Sequence, residues 1–248
     1  MQIIGHRGAM GYKPENTLSS FEKALRLGVD GIELDVWVCQ SGELVVFHDE
    51  TLDRITNGSG NVFDKTLSEL KQLKVKHPLP EREEDIPHDR ITIPTLEEVL
   101  DLVDKKVFVN VELKGPNTAR PVYRTIDRYV MEMGWPYDKF LVSSFDHPEL
   151  RKFQRISHGV VNVGFLFSAI PLGYARLAEE VGAYAIHPEW DTINQKLVND
   201  AHKRQIKVYV WTITDEERAR KVLPMGVDGI FANDPLKVKE WAAKYAPK

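Results

Sequence analysis

Acidic side chains alternate with apolar ones in the segment "GIELDVW" of this 248-residue chain. Ile32, Leu34 and Val36 hold one set of alternate positions, and Glu33 and Asp35 hold the other. Because successive side chains of a strand point to opposite faces, the two carboxylates are expected to share a face. Two neighbouring carboxylates of this kind are suited to binding a divalent cation.

A second segment, "VFVNVELKG", repeats the pattern and places Asn110, Glu112 and Lys114 on one face. If the two segments are neighbouring strands, Glu33, Asp35 and Glu112 meet in an interior that normally holds apolar side chains. Burying that many unpaired charges costs several kcal/mol for each ion, on the order of the penalties known for buried charges. One divalent cation with oxygen ligands, Mg²⁺, Ca²⁺ or Mn²⁺, removes this cost. The alternative is a buried ion-pair network anchored on Lys114.

Two histidines follow short apolar segments and stand beside charged residues. His6 lies in "GHRG" and His48 in "VVFHDE". Either histidine alone is more often structural, but together they predict an acid–base pair. Arg7 offers a planar fork for phosphate oxygens. Glu15, in "KPENT", is a candidate either to hold Arg7 or to favour the start of the following helix.

The elements that must position these residues alternate along the chain. The periodicity of the apolar residues, together with the turn residues between segments, predicts strands at residues 3–6, 31–38, 107–114, 140–145, 161–167, 183–187, 207–213 and 229–232. Helices are predicted at residues 17–27, 96–103, 119–133, 148–156, 172–181, 195–204, 215–223 and 235–245. Eight β/α pairs, with no GxGxxG motif after the first strand, favour a closed (β/α)8 TIM barrel over a dinucleotide-binding fold. We expect a single α/β domain over residues 1–248.

One excursion, at about residues 39–94 and called the insertion below, interrupts the alternation. It begins as a hairpin with Ser41 and Gly42 at the turn, and a short helix is predicted near residues 67–73. The charged, proline-rich residues 74–90 predict a surface loop of undefined role. Because the insertion leaves the carboxyl end of the second strand, where barrel sites are found, it is either a wall or lid of the site or a decoration.

Composition excludes several classes of protein. The net charge is -4 with mixed signs, which disfavours nucleic acid as the main partner. The chain contains no run of eighteen apolar residues, so no membrane insertion is predicted, and the mean hydropathy is -0.33. The start of the chain carries no secretory pattern, and Cys39 is the only cysteine, so a cytoplasmic location is expected. The sequence leaves the oligomeric state open.

Residues 5–60, with "HRG", "PENT", "ELD" and "HDE" in order, closely resemble the glycerophosphodiester phosphodiesterase family. "ELKG", "SSFD", "VWTIT" and "GVDGIFANDP" extend the resemblance over nearly the whole chain, most weakly at residues 77–89. The resemblance implies a metal-dependent enzyme on a (β/α)8 barrel. Such enzymes hydrolyse glycerophosphodiesters, their small-molecule substrates, to sn-glycerol 3-phosphate and an alcohol.

The resemblance also implies roles. By this resemblance, Glu33, Asp35 and Glu112 would bind the metal, and His6 and His48 would be the catalytic histidines. Arg7 and Lys114 would contact the phosphate. Trp211 and Phe145 would be aromatic side chains that line the substrate pocket. Ala232-Asn233 stands where the family often has Thr-Asp, which leaves a contribution from the eighth barrel strand open. The preferred alcohol, the cation, the assignment of acid and base, and a cyclic phosphate intermediate are also open. The alternatives are a phospholipase D-like hydrolase of lysophospholipids and a barrel that binds a phosphate ligand without turnover.

Overall fold

The structure, a computed structural model, describes residues 1–76 and 91–247. Nine strands form one sheet: β1 (Gln2–Gly5), β2 (Gly31–Val38), β3 (Leu44–Val46), β4 (Phe108–Leu113), β5 (Phe140–Ser144), β6 (Asn162–Phe167), β7 (Ala185–Pro188), β8 (Lys207–Ile213) and β9 (Gly229–Ala232). Eight of them run parallel, and β1 pairs with both β9 and β2, so the sheet closes on itself. The predicted (β/α)8 TIM barrel is confirmed.

The α-helices of the described residues are α1 (Leu18–Arg26), α2 (Leu67–Gln72), α3 (Leu96–Val103), α4 (Ala119–Met133), α5 (His147–Ile156), α6 (Arg176–Val181), α7 (Gln195–Lys203), α8 (Glu216–Val222) and α9 (Pro235–Tyr245). Side-chain caps mark several starts: Thr17 accepts from Ser20 N, and Asp215 accepts from Arg218 N. Among these residues, no helix is both long enough and apolar enough to cross a bilayer.

Helix α6 is shorter than the predicted helix at residues 172–181. Tyr174 N donates to Pro171 O across a turn, and Gly173 has a φ of 84°. This turn occupies the first part of the predicted helix, so the helix begins only at Arg176. Leu172, the first residue of the predicted helix, is 94% exposed and packs into no core.

Along β2 and β4, as predicted, alternate side chains lie in two environments: the apolar ones in the core against the helices, and the polar ones on the opposite face of the sheet. Ile32, Leu34 and Val36 are fully buried in the core between the sheet and its helices. Each such aliphatic side chain stabilises the fold by about 1.5–3 kcal/mol. Strand β4 aligns with β2 so that Asp35 and Glu112 are paired partners. This register therefore brings acids from two strands together, and a one-residue slip would turn one set away.

The insertion has its own apolar core. Strand β3 pairs antiparallel with β2, forming the predicted hairpin. Beyond it lies a separate buried group, here named the insertion cluster: Trp37, Cys39, Val45, Phe47, Leu52, Ile55, Val62, Leu70, Val75, Ile91 and Ile93. The Trp37 ring packs on Gly115, where an added Cβ would lie only 2.6 Å away. Of the loop predicted at residues 74–90, residues 77–90 lie outside the described residues.

Candidate active site

A cleft opens at the carboxyl end of the barrel strands. Its walls include eight of the ten side chains proposed from sequence: His6, Arg7, Glu33, His48, Glu112, Lys114, Phe145 and Trp211. The other two, Asp35 and Glu15, lie directly behind this lining and contact it. Residues separated by up to 205 positions in the chain therefore converge on one cleft.

The three acids of the cleft lie close enough to share one ion. Glu33, Asp35 and Glu112 each offer a carboxylate oxygen, and these atoms all lie within 4.8 Å of one another. Burial and the neighbouring charge of Asp35 raise the pKa of Glu112 to about 7. Burial, with the charges of Asp35 and Glu112, also raises the pKa of Glu33 well above its usual range.

These oxygens fit a hard divalent cation. Asp35 Oδ1 is buried and has no hydrogen-bond partner in the part of the chain that the structure describes. A set of three carboxylates with no sulfur or nitrogen donor suits Mg²⁺, Ca²⁺ or Mn²⁺. A cation of this kind would offset the repulsion that raises the pKa values of Glu33 and Glu112.

Two basic side chains border the acids. Lys114 Nζ donates to Glu112 Oε1 at 2.8 Å and lies 3.7 Å from Asp35 Oδ1. Arg7 Nε lies 3.5 Å from Asp35 Oδ2. The ion-pair network anchored on Lys114 therefore exists, but three carboxylates face two cations. The network and a metal site are not mutually exclusive, because the excess negative charge remains.

The turn after β1 holds Arg7 from both its backbone and its side chain. Its φ of 49° places the backbone in the left-handed region, and its N–H donates to Glu33 Oε2 at 2.8 Å. Its Nη1 donates to Glu15 Oε1 at 2.7 Å, so Glu15 contacts Arg7 rather than capping the helix. Gly8 follows with a φ of 83°, and a Cβ there would lie 2.5 Å from Ser20 Oγ. The turn thus fixes the direction of the guanidinium.

The two histidines predicted from the sequence, His6 and His48, are each anchored through Nδ1. His6 Nδ1 lies 2.7 Å from Asn233 Oδ1, and His48 Nδ1 lies 2.6 Å from Asp49 Oδ1. Because both partners accept through oxygen, Nδ1 carries the proton and Nε2 is the nitrogen that can exchange one. Burial and the charge of Arg7 lower the pKa of His6 to about 4. Burial likewise lowers the pKa of His48.

Sequence reasoning missed the side chains that hold these groups in place. Asn16 Nδ2 donates to Asp35 Oδ2 at 2.8 Å, and Asp35 N donates to Asn16 Oδ1 at 3.4 Å. Asn16 has a φ of 57°, a conformation that asparagine tolerates better than most residues. The sequence left open whether the last barrel strand contributes to the site. Asn233, which directly follows β9, contacts His6, so this end of the strand does contribute a side chain. Its place directly after an apolar strand was the available signal.

An aromatic wall forms one side of the cleft. Phe145 and Trp211 meet edge to face, with ring centroids 5.5 Å apart. The pairing of β8 with β9 is irregular between Val210 and Ile213, and such irregularities re-aim side chains. Trp211 Nε1 donates to His187 O at 2.8 Å, which fixes the indole. The two predicted pocket aromatics thus form a single contact surface.

The floor of the cleft contains polar side chains that the sequence reasoning had not assigned to a site. Asn110 Nδ2 donates to Ser143 Oγ at 3.0 Å. His187 is fully buried, stacks on Tyr209 at 5.6 Å, and has no hydrogen bond to either ring nitrogen within the described residues. Burial alone lowers the pKa of His187 to about 3. This imidazole is therefore neutral at physiological pH.

Comparison with known proteins shows the family to which the chain is similar. Residues 6–237 match the glycerophosphoryl diester phosphodiesterase family. A glycerophosphodiester phosphodiesterase of Caldanaerobacter subterraneus is 36% identical over 239 residues, covering 94% of each chain. One from Bacillus altitudinis is 35% identical over 253 residues, covering 96% of this chain and 98% of that protein.

Solved structures agree as well. An Oleispira antarctica phosphodiesterase, solved in complex with its product sn-glycerol-3-phosphate, aligns with a TM-score of 0.85 and 30% identity. The alignment covers 98% of this chain and 97% of that one. The chain belongs to the glycerophosphoryl diester phosphodiesterase family and is a phosphoric diester hydrolase.

Proposed function

We propose that the protein hydrolyses glycerophosphodiesters to sn-glycerol 3-phosphate and an alcohol, with one divalent cation and two histidines. The observation that carries this proposal is the convergence of three acids, two cations and two anchored histidines on one cleft. The related Oleispira antarctica enzyme was solved with sn-glycerol-3-phosphate, which supports the same product here.

Glu33, Asp35 and Glu112 would hold the cation through their clustered carboxylate oxygens. When bound there, Mg²⁺, Ca²⁺ or Mn²⁺ supplies positive charge against the phosphate oxygens. Asn16 supports this role, because its two hydrogen bonds fix the orientation of Asp35. An outer partner of this kind typically strengthens metal binding about 10- to 100-fold.

Arg7 and Lys114 would bind the non-bridging oxygens of the phosphate. Both line the cleft and both already lie beside Asp35, so their charges face the place where the phosphate must approach the acids. The two cations neutralise the charge that builds on those oxygens in the transition state. Phe145 and Trp211 would pack against the carbon atoms of the substrate.

His6 and His48 would move the protons. One Nε2 takes the proton of the attacking hydroxyl as its oxygen forms a bond to phosphorus. The other, protonated on both ring nitrogens, donates its Nε2 proton to the alcohol oxygen as the bond from phosphorus to that oxygen breaks. The nucleophile is either water or a hydroxyl of the substrate's own glycerol, which gives a cyclic phosphate first; trapping that cyclic product separates the two routes.

The test is a turnover assay with the metal-stripped protein. Glycerophosphocholine, glycerophosphoethanolamine and lysophosphatidylcholine are supplied with EDTA, Mg²⁺, Ca²⁺ or Mn²⁺. The phosphomonoester product is measured, which is sn-glycerol 3-phosphate from the first two substrates and lysophosphatidate from the third. We expect product from the two glycerophosphodiesters only when a cation is present. Full turnover in EDTA would contradict the metal role, and no turnover of any diester would favour the binding-barrel alternative.

The histidine roles need a separate assay. His6→Asn and His48→Asn should each lower the rate about 10²- to 10⁴-fold, because asparagine transfers no proton near neutral pH. With a p-nitrophenyl ester, whose leaving group needs little protonation, the loss should be far smaller for the variant that lacks the acid. Equal losses of rate in both variants on both substrates would mean that the two histidines do not have separate acid and base roles.

A further inference from the structure

Arg54 links two carboxylates that come from different parts of the chain. From the insertion it donates to Glu15, through Nη1 at 3.0 Å and Nη2 at 2.7 Å. It also donates to Asp49, through Nε at 2.5 Å and Nη2 at 3.0 Å. All three nitrogens of the guanidinium are therefore engaged, although its side chain is 48% exposed.

Each of these carboxylates also contacts a side chain that lines the cleft. Glu15 Oε1 accepts from Arg7 Nη1 at 2.7 Å, and Asp49 Oδ1 lies 2.6 Å from His48 Nδ1. Arg54 itself is not part of the cleft lining. Arg54 is thus connected to two side chains of the cleft. Through Glu15 it is connected to Arg7, the proposed phosphate-binding arginine, and through Asp49 to His48, a proposed proton-transfer histidine.

An arginine is needed here for chemical reasons. Its planar fork bonds two carboxylates at once, which the point charge of a lysine cannot do in the same geometry. Burial would raise the pKa of Asp49, but the hydrogen bonds from Arg54 and His48 lower it to about 2. Asp49 is therefore ionised, and without Arg54 it would keep only the contact with His48, while Glu15 would keep only Arg7.

We infer that Arg54 is a positioning residue, which fixes Arg7 and His48 in one arrangement by binding both carboxylates that hold them. This role rests on the proposed function only in assigning tasks to Arg7 and His48; the contacts themselves do not depend on it. The insertion is then a working wall of the site, because it supplies His48, Asp49 and the arginine that joins them to the loop after β1.

The test compares Arg54→Met with Arg128→Met. Arg128 is a matched control, since its side chain is also 48% exposed and it pairs with Glu97 on the outer helices. Arg54→Met should lower kcat/KM for glycerophosphocholine roughly 10- to 100-fold, the scale of a small misplacement of reacting groups. Its melting temperature should fall by less than about 4 °C, because exposed ion pairs stabilise little. Arg128→Met should match the wild type.

A second comparison separates positioning from a general structural effect. In a Glu15→Gln, Asp49→Asn background the targets of Arg54 are changed, so adding Arg54→Met should cost less than about threefold. Arg54→Lys should recover only part of the wild-type rate, because one ammonium serves one carboxylate well. A tenfold or larger loss in the changed background would overturn the inference, as would Arg54→Met activity within threefold of wild type.

Ligand binding separates this inference from the proposed function. Calorimetry with sn-glycerol 3-phosphate and Mn²⁺ measures phosphate capture without turnover. Arg54→Met should weaken binding about tenfold relative to Arg128→Met, because Arg7 is displaced. If wild type binds but does not hydrolyse glycerophosphocholine, the proposed function fails while the link stands. If wild type hydrolyses and Arg54→Met binds normally, the link between Arg54 and Arg7 fails alone.

Discussion

The imidazole of His6 and the side-chain amide of Asn233 lie 2.7 Å apart, Nδ1 to Oδ1, although 227 positions separate them in the chain. His6 directly follows β1 and Asn233 directly follows β9, so the contact forms at the seam where the barrel closes. The neutral amide orients the ring without adding a charge. His48, by contrast, has the carboxylate of Asp49 as its partner.

Asn233→Leu should therefore lower kcat roughly 10- to 100-fold, because His6 loses the acceptor that fixes its tautomer and direction. Steady-state kinetics on glycerophosphocholine measure this change. Asn233→Asp restores an oxygen acceptor and should retain more activity than Asn233→Leu. If the leucine variant turned over at the wild-type rate, the orientation of His6 would not depend on this contact.

Adding a cation to the stripped protein should raise its melting temperature. A ligand at 100 times its Kd stabilises the folded state by about 2.7 kcal/mol, which corresponds to roughly 5–10 °C for a chain of this size. Glu112→Gln should largely remove the shift, whereas the exposed surface change Glu132→Gln should leave it intact. An equal shift in both variants would place the cation elsewhere.

Phe145→Ala should weaken substrate binding without slowing the chemical step. The ring meets Trp211 edge to face and is 43% exposed, so its removal takes away contact area and costs little stability. An aromatic contact of this kind is worth about 0.5–1.5 kcal/mol, so KM should rise roughly 2- to 12-fold with kcat retained. Leu236→Ala, also 43% exposed but on α9, is the matched control. A fall in kcat with unchanged KM would contradict this role.

Stability should decrease at acid pH through His187. Its pKa is lowered by burial to about 3 in the folded state, against 6.5 in the unfolded chain. The unfolded state therefore binds a proton that the folded state excludes, and the stability it contributes at neutral pH is lost as pH falls from 6.5 towards 3.

In His187→Phe, the slope of unfolding free energy against pH should fall by up to about 1.4 kcal/mol per pH unit between pH 6 and 4. Urea titrations across that range measure the slope. Tyr209→Phe changes the same packed layer without removing a histidine and should keep the wild-type slope. Identical slopes for His187→Phe and wild type would mean that His187 is protonated in the folded protein.

The local spacing of apolar and polar residues was enough to predict the barrel and the inward-facing acids, because both depend on residues that are close together in the sequence. The alternation around Glu33 and Asp35 reports which side chains face inward, and the same period places Glu112. Helix α6 was predicted to begin at residue 172, whereas a turn at Gly173 precedes it and the helix begins at Arg176. Periodicity does not detect such turns.

The partners of these residues could not be read in the same way. Asn16 reaches Asp35, and Arg54 reaches Glu15 from 39 positions away. Such contacts depend on how loops fold back over the closed barrel, and no local repeat encodes that. The side chains that line the cleft were therefore largely predictable by type and spacing, whereas the side chains that contact them from behind became visible only in three dimensions.

The insertion cluster packs separately from the main apolar core of the barrel, although both units contribute side chains to one cleft. His48 and Arg54 belong to a unit whose apolar contacts lie largely apart from those of the barrel. Units packed in this way can open independently at a lower free energy than global unfolding. In a denaturant titration, turnover should therefore be lost before the far-ultraviolet circular dichroism of the barrel, and the early amide exchange should map to the insertion.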